Sequence, residues 1–440
     1  MVRGPVQLML PRMKSMHRLL LLILVGVVSL SAQTIFSKRI KGMRVTGMAD
    51  AKFPMTLVDS YPVTITFDVD APHSENFRVK FFHCDRDWNV TQSSFINDEF
   101  RNYSRNQIPS TSAPAGVQQY RWTYTLRIPG QKDQNSPSGR PVDFERLPQS
   151  GNYKFEVWSD SDQPDELLAE GKFFAVEKIE DSALTIENRS LPSEISPLNQ
   201  VNKAVLSVII PSPGAGDANP LYPASVKTVD VYRNREIERP YRIDLDDRET
   251  STYLEGVGTN SLKFVIDNLQ PGNEYRRLDL RNSDLYPPGE LLRLRHGADQ
   301  SRWLWQGAMD YFGTSVLVSG SRYAEYVSFQ FELGLPEEKS NEIIYVVGDF
   351  NGWKIDDRWR LQYDPSLHHY TLVTQLRRGA YDYQYVLNGT DWGALEGNDW
   401  RTVNMYTALL YYHDPRYGGF DRILLGAQKK SPGGTASTSR

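Results

Sequence analysis

Alternation with a period of two residues constrains this chain more than any other feature. Val63, Ile65, Phe67 and Val69 fall on one side of an extended backbone, and Thr64, Thr66 and Asp68 on the other. Tyr120, Trp122, Tyr124, Leu126 and Ile128 alternate in the same way with Arg121, Thr123, Thr125 and Arg127. Successive side chains of a strand point to opposite faces, so this pattern makes a sheet with one buried face and one wet face. An amphipathic helix needs apolar residues three and four apart, and no segment of this region supplies them. Tyr153, Phe155 and Val157 repeat the alternation after the turn residues Ser150-Gly151-Asn152. On this reading Asp68 and Asp70 belong to the wet face and point outward.

The same reading extends along the chain. Ala204–Ile210, Val226–Tyr232 and the shared face of Leu262, Phe264 and Ile266 form a second set of strands. Tyr326–Leu333, Ile343–Val347, Tyr370–Leu376, Tyr381–Leu387 and Thr407–Tyr412 form a third. The chain has 440 residues, and single cores stop growing at about 250–300. The expectation is an all-β protein of tandem antiparallel β-sandwiches, immunoglobulin-like in architecture. The boundaries read as an N-terminal sandwich over 36–178, a middle β-domain over 179–318, a C-terminal sandwich over 319–426 and a flexible tail over 427–440.

Residues 1–31 read as a signal peptide. Arg12, Lys14 and Arg18 precede an apolar run from Leu19 to Val28 that is too short to span a bilayer, and the small residues Ser29, Ser31 and Ala32 follow. Removing it takes away four basic residues and no acid, so the net charge moves from −4 to −8. A mildly acidic exported chain is not built to hold nucleic acid or anionic lipid. Cys84 is the only cysteine, which excludes an intramolecular disulfide and lipid attachment at the cleavage site.

Searching for chemistry returns little. The chain has no G-x-S-x-G elbow, no H-E-x-x-H and no P-loop, so an enzyme is not expected, and no cofactor is either. His83, Cys84, Asp85 and Asp87 are the densest group of metal-ligating types, but neighbours on a strand alternate sides and cannot converge on one ion. They read as a strand end entering an Asp-rich turn, with no metal. His368 and His369, and Asp246 and Asp247, read as solvated turn residues.

Val346 to Trp353, VVGDFNGW, ends a strand in a tight turn that presents Phe350 and Trp353; further on, Gly379 opens a strand through Tyr385, with Trp392 after it. From about Tyr326 to Tyr412 this arrangement resembles the early-set glycogen- and starch-binding modules. The resemblance implies that Trp353 and Trp392 stack on sugar rings and that Asn404 bonds hydroxyls. Gln384 stands where those modules carry a basic residue, so the implied affinity is weak.

A second resemblance covers nearly the whole exported chain. Phe82-His83-Cys84-Asp85-Arg86-Asp87-Trp88-Asn89, Gly151-Asn152-Tyr153, Phe173–Val176, Pro271–Asp279, Gly379–Val386, Glu396-Gly397 and Tyr411-Tyr412 are similar to the plug protein family of the type IX secretion system, formerly a domain of unknown function of Bacteroidetes-type bacteria. What this resemblance implies is a periplasmic protein, held peripherally at the outer membrane by its partner. The partner is the outer-membrane β-barrel translocon, whose pore the plug closes when no substrate is exported. The alternative implied by the first resemblance is an envelope carbohydrate-binding protein. Neither involves nucleic acid or direct membrane insertion.

Overall fold

A computed structural model of the chain describes residues 33–47, 53–58, 62–97, 108–128, 147–160, 166–190, 200–211, 221–246, 251–303, 310–335 and 341–433. The expected signal peptide lies outside them, and so do Asp247 and the last seven residues. Where the sequence alternates, strands form. In the first sandwich the strands are β1 (Gln33–Ile35), β2 (Ile40–Thr46), β3 (Met55–Leu57), β4 (Val63–Val69), β5 (Phe77–Cys84), β6 (Ser110–Ser112), β7 (Trp122–Ile128), β8 (Gly151–Ser159) and β9 (Leu167–Val176). One sheet runs β2-β4-β7-β6, and the other runs β1-β9-β8-β5 with β3 beside β9. Val63, Ile65, Phe67 and Val69 are fully buried and pack with Phe77, Val79 and Phe155 of the facing sheet. Each such side chain taken out of water contributes roughly 1.5–3 kcal/mol.

The second sandwich begins with β10 (Leu184–Ser190), β11 (Gln200–Ile209), β12 (Thr228–Arg233), β13 (Tyr241–Asp244), β14 (Thr252–Glu255) and β15 (Ser261–Leu269). One sheet, β10-β11-β15-β14, is complete. The other has only β12 and β13 at this point, too few to cover a core.

The chain then builds a third sandwich before it returns. Its strands are β16 (Arg276–Asp279), β17 (Leu291–Arg293), β18 (Asp299–Gln300), β19 (Ser315–Leu317), β20 (Tyr326–Gly334), β21 (Ile344–Gly348), β22 (Gln362–Asp364), β23 (His369–Arg377) and β24 (Gly379–Leu387). β24 is central to one sheet, with β16 on one side and β19 and β21 on the other; β20 and β23 are central to the second. The last two strands, β25 (Met405–Asp414) and β26 (Phe420–Lys430), go back to the second sandwich and complete the sheet β13-β12-β25-β26. Val229 pairs with Leu410 and Val231 with Ala408, all in one core with Phe264 and Leu206.

The architecture is all-β and mostly antiparallel, as expected, with short parallel pairs at β3–β9, β17–β20 and β18–β20. The boundaries expected beyond residue 178 are corrected. The middle sandwich is discontinuous, 184–269 with 405–430, and the third takes residues 276–387, so 319–426 is not one domain. The expected tail is corrected too: β26 runs to Lys430, and Ala427 is buried opposite Ala408.

Candidate partner-binding surfaces

The carbohydrate candidates do not form a platform. Trp353 is 2 % exposed; its ring packs on Tyr275 at 4.2 Å between centroids, and its Nε1–H donates to the Gly313 carbonyl at 2.7 Å. Asn404 is equally buried; its amide donates to the Pro271 carbonyl (2.8 Å), and its Oδ1 accepts from the Asn234 amide (2.8 Å). Trp392 is half-buried, with the Arg239 guanidinium 4.3 Å above its ring. Gln384 is buried in β24. Two of the three residues thus spend their ring face and hydrogen bonds inside the protein, which corrects their expected role at a sugar.

The segments that carry the second resemblance come together as clamps between sandwiches. Arg86, in the turn after β5, donates from Nε to Asp230 (2.8 Å) in β12 and from a terminal nitrogen to Asp244 (2.9 Å) in β13. Its backbone N–H donates to Asp421 in β26 at 2.8 Å. Asn152 of β8 donates to the carbonyls of Asp85 and Arg86, and its Oδ1 accepts from the Tyr411 hydroxyl at 2.9 Å. Asp230 is fully buried, and burial pushes its carboxyl up against the pull of Arg86. Breaking such a pair from one side leaves an uncompensated buried charge.

A second clamp joins all three bodies at the turn after β12. Asn234 and Glu236 both bond the Tyr275 hydroxyl (3.1 and 2.7 Å), which leads into the third sandwich. Arg235 pairs with Asp349 after β21 (3.2 Å) and donates to the Val45 carbonyl of β2 (3.1 Å). Glu238 pairs with Lys172 of β9 at 2.9 Å. Beside the third sandwich, in the connection from β24 to β25, Glu396 accepts from Arg276 (2.9 Å) and Arg302 (2.7 Å) and from the Tyr385 backbone N–H. The Tyr383 and Tyr385 hydroxyls both donate to Asp299.

Asp68 is corrected as well. It is fully buried where the first and third sandwiches meet, bonded to Arg377 (2.7 Å), the Tyr326 hydroxyl (3.0 Å) and Thr123 Oγ1 (2.6 Å). The face that alternation marks as wet is wet only as far as the next domain. Asp70, two residues on and just past the end of β4, is exposed as expected.

His83 is buried, with its ring nitrogens on Thr91 Oγ1 (2.8 Å) and the Ser150 carbonyl (2.9 Å); burial lowers its pKa. Cys84 faces the opposite way into an apolar cluster, and burial pushes its thiol up to about 11, which makes it inert. Asp85 accepts from the backbone N–H groups of Asp87 and Asn89. Among the described residues no group of three His, Cys, Asp or Glu side chains is placed to hold a metal.

A cleft of about 700 Å³ opens between the first and third sandwiches. Ile35 of β1 and Ile40–Arg44 of β2 line one wall, Ser315 and Leu317 of β19 and Thr374–Arg377 of β23 the other. Phe350 and Trp359, stacked at 4.7 Å, are half-buried on its floor. The wall bends at Gly42, where β2 shifts register against β4. Gly42 has φ +54, and a Cβ there would fall on the Tyr326 hydroxyl, so both conformation and space require glycine. Elsewhere on the surface, Phe95 (77 % exposed) and Tyr417 (51 %) pack together at 5.5 Å, joining the first sandwich to the β25–β26 hairpin. Sequence reading singled out Phe350, though as part of a sugar-binding turn, and read Tyr370–Leu376 as a strand, but it did not bring these residues together with β2 in a cleft.

Fold and clamps define the class: an array of β-sandwiches joined by buried ion pairs, with a cleft between two of them. Residues 40–177, from β2 to the end of β9, match the family model described as type 9 secretion system plug protein 1st domain. The chain carries that domain, about a third of its length, and with it a place in type 9 secretion, an association with that machinery and a location in the cell envelope. A crystal structure of a hypothetical protein from Parabacteroides merdae ATCC 43184 has a similar fold, with TM-score 0.67 at 18% identity over 91% of this chain and 99% of that one. No curated protein matches the chain. No helix among the described residues is long and apolar enough to cross a membrane.

Proposed function

We propose that the protein is a periplasmic plug, which docks on the outer-membrane β-barrel translocon of the type IX system and closes its pore while no substrate is exported. The observation that carries this reading is the match of residues 40–177 to the plug protein first domain. Rigidity supports it. A wide barrel lumen needs a filler that keeps its shape, and the buried Arg86–Asp230 and Arg235–Asp349 pairs hold three sandwiches as one body. The protein acts by binding and does not catalyse a reaction. The test is a pull-down of the exported chain from envelope extracts, with identification of what accompanies it. Recovery of an outer-membrane barrel is the expected result. Retention on a polysaccharide column with no barrel recovered would instead favour the carbohydrate reading.

A further inference from the structure

The cleft between the first and third sandwiches is bordered by the margins of several sheets. β1 and β2 are each the last strand of a sheet, and β19 lies on the margin of the sheet built on β24. β22 covers β23 only along His369–Thr371. Beyond that, Leu372–Arg377 pairs with β20 on one side and with no strand on the other, among the described residues. An uncovered strand margin is a template for one more strand, and proteins normally blunt such margins. Here part of β2 is blunted: the Gln33 amide bridges the Met43 carbonyl (2.9 Å) and the Val45 N–H (3.2 Å). Among the described residues nothing covers Leu372–Arg377 of β23 in this way, and at about 3.3 Å per residue it offers room for an added strand of five or six residues.

The charge of the cleft selects what enters. Lys38, Lys41, Arg44, Lys354, Arg358 and Arg377 line it, against two carboxylates, Asp349 and Asp356. Both carboxylates already have partners: Asp349 has Arg235 at 3.2 Å, and Asp356 has Arg358 at 2.7 Å. Arg44 is held loosely, 3.5 Å from the Ser315 carbonyl and 4.0 Å from Asp349, and Lys38 is exposed. Four of the six cations are paired as well, Arg377 with Asp68 (2.7 Å), Lys41 with Asp70 (3.9 Å), and Lys354 and Arg358 with Asp356 (3.7 and 2.7 Å), so the positive charge the cleft offers to an entering chain is that of Lys38 and Arg44. The floor is aromatic and apolar, with Phe350, Trp359 and Leu317.

We infer that this cleft binds an extended polypeptide segment of a partner, in which apolar residues alternate with acidic ones. The segment adds as a strand to the uncovered margin of β23. Its apolar side chains settle on Phe350, Trp359 and Leu317, and its carboxylates face Lys38 and Arg44. Main-chain hydrogen bonds supply affinity in this mode, and alternate side chains supply specificity. The inference goes beyond the plug reading and stands or falls separately from it.

The experiment uses the whole exported chain and two blocked eight-residue peptides, one alternating glutamate with valine and one alternating lysine with valine. The glutamate peptide should bind at micromolar concentration and the lysine peptide at least tenfold more weakly. The double variant Lys38→Glu, Arg44→Glu should lose at least tenfold in affinity for the glutamate peptide and lose the discrimination. Hydrogen exchange should slow at Leu372–Arg377 when the glutamate peptide is present. Any of four results would overturn the inference: no binding at millimolar peptide, equal binding of the two peptides, protection confined to another surface, or protection that rises with protein concentration alone, which would make the occupant a second copy. Should the double variant fail to fold, the two peptides and the exchange map on the unaltered chain decide the question by themselves.

Discussion

Asp382, in β24, takes backbone N–H bonds from Tyr311 (2.6 Å) and Gly313 (2.9 Å) on one carboxyl oxygen, and the other, buried oxygen has no partner. Burial, and then the nearby Asp310 carboxylate, push its pKa up to about 8 from an ordinary 3.8. The folded chain therefore keeps a proton that the unfolded chain has released. This stabilising contribution is complete below pH 4 and is lost as pH rises through 8. Between these limits its slope is at most about 1.4 kcal/mol per pH unit. Asp382→Asn keeps an oxygen for both N–H groups and removes the titration. Urea unfolding at pH 5 to 8.5 should show a flatter pH dependence and a gain in stability at the alkaline end. The Arg86 clamp is a second residue-scale case. Arg86→Ala leaves the fully buried Asp230 with only the more distant Arg242 guanidinium, at 3.9 Å, as a cationic partner, and should cost about 3 kcal/mol by urea unfolding. Arg281→Ala removes an exposed pair with Asp279 (2.6 Å, both side chains 42% exposed) and should cost under about 1 kcal/mol.

At the scale of elements, alternation made most strands legible and their partners illegible. Val63–Val69 is a strand over the residues where the alternation runs, and Tyr153–Val157 lies inside β8. A strand's sequence states which face is buried, but it does not state which strand lies beside it. That is why β25, read with the third sandwich, pairs instead with β12. β26 was not legible because Ile423, Leu424 and Leu425 are apolar on both faces and the strand ends in Gln-Lys-Lys, which reads as a tail. The site residues failed for a related reason. Asn234-Arg235-Glu236 has the composition of a solvated turn, yet it is buried where three bodies meet. Trp353 has the placing of a sugar platform, yet Tyr275, about eighty residues earlier in the chain, covers its ring. Among the cleft's walls, only neighbours far apart in sequence create the opening. The discontinuous sandwich has a direct consequence. Ending the chain at Asn404 removes β25 and β26 and leaves β12–β13 as an isolated pair, which should unfold 184–269. Limited proteolysis should then cut throughout that stretch, whereas a middle domain confined to 179–318 would resist.

For the whole molecule, the proposed function sets limits on what the protein can do to a pore. The sequence carries no P-loop pattern, and no described helix is long and apolar enough to cross a membrane. On the proposed reading it contributes binding free energy that favours the closed translocon, and release requires a competitor with different affinity for the two states. A single rigid body suits this role, because a hinge between sandwiches would let the barrel open without undocking. The Arg86 and Arg235 clamps cross those boundaries with buried ion pairs. Deleting the gene should therefore leave export running while making the outer membrane leakier to large, normally excluded molecules. Fixing the protein to its barrel by an engineered crosslink should block export. The two results are read together by measuring secreted protein alongside uptake of a large dye or antibiotic. Loss of secretion on deletion, with no gain in permeability, would make the protein an assembly factor or an active component of the system. The pore-closing mechanism would then be wrong, even though residues 40–177 carry the plug protein first domain.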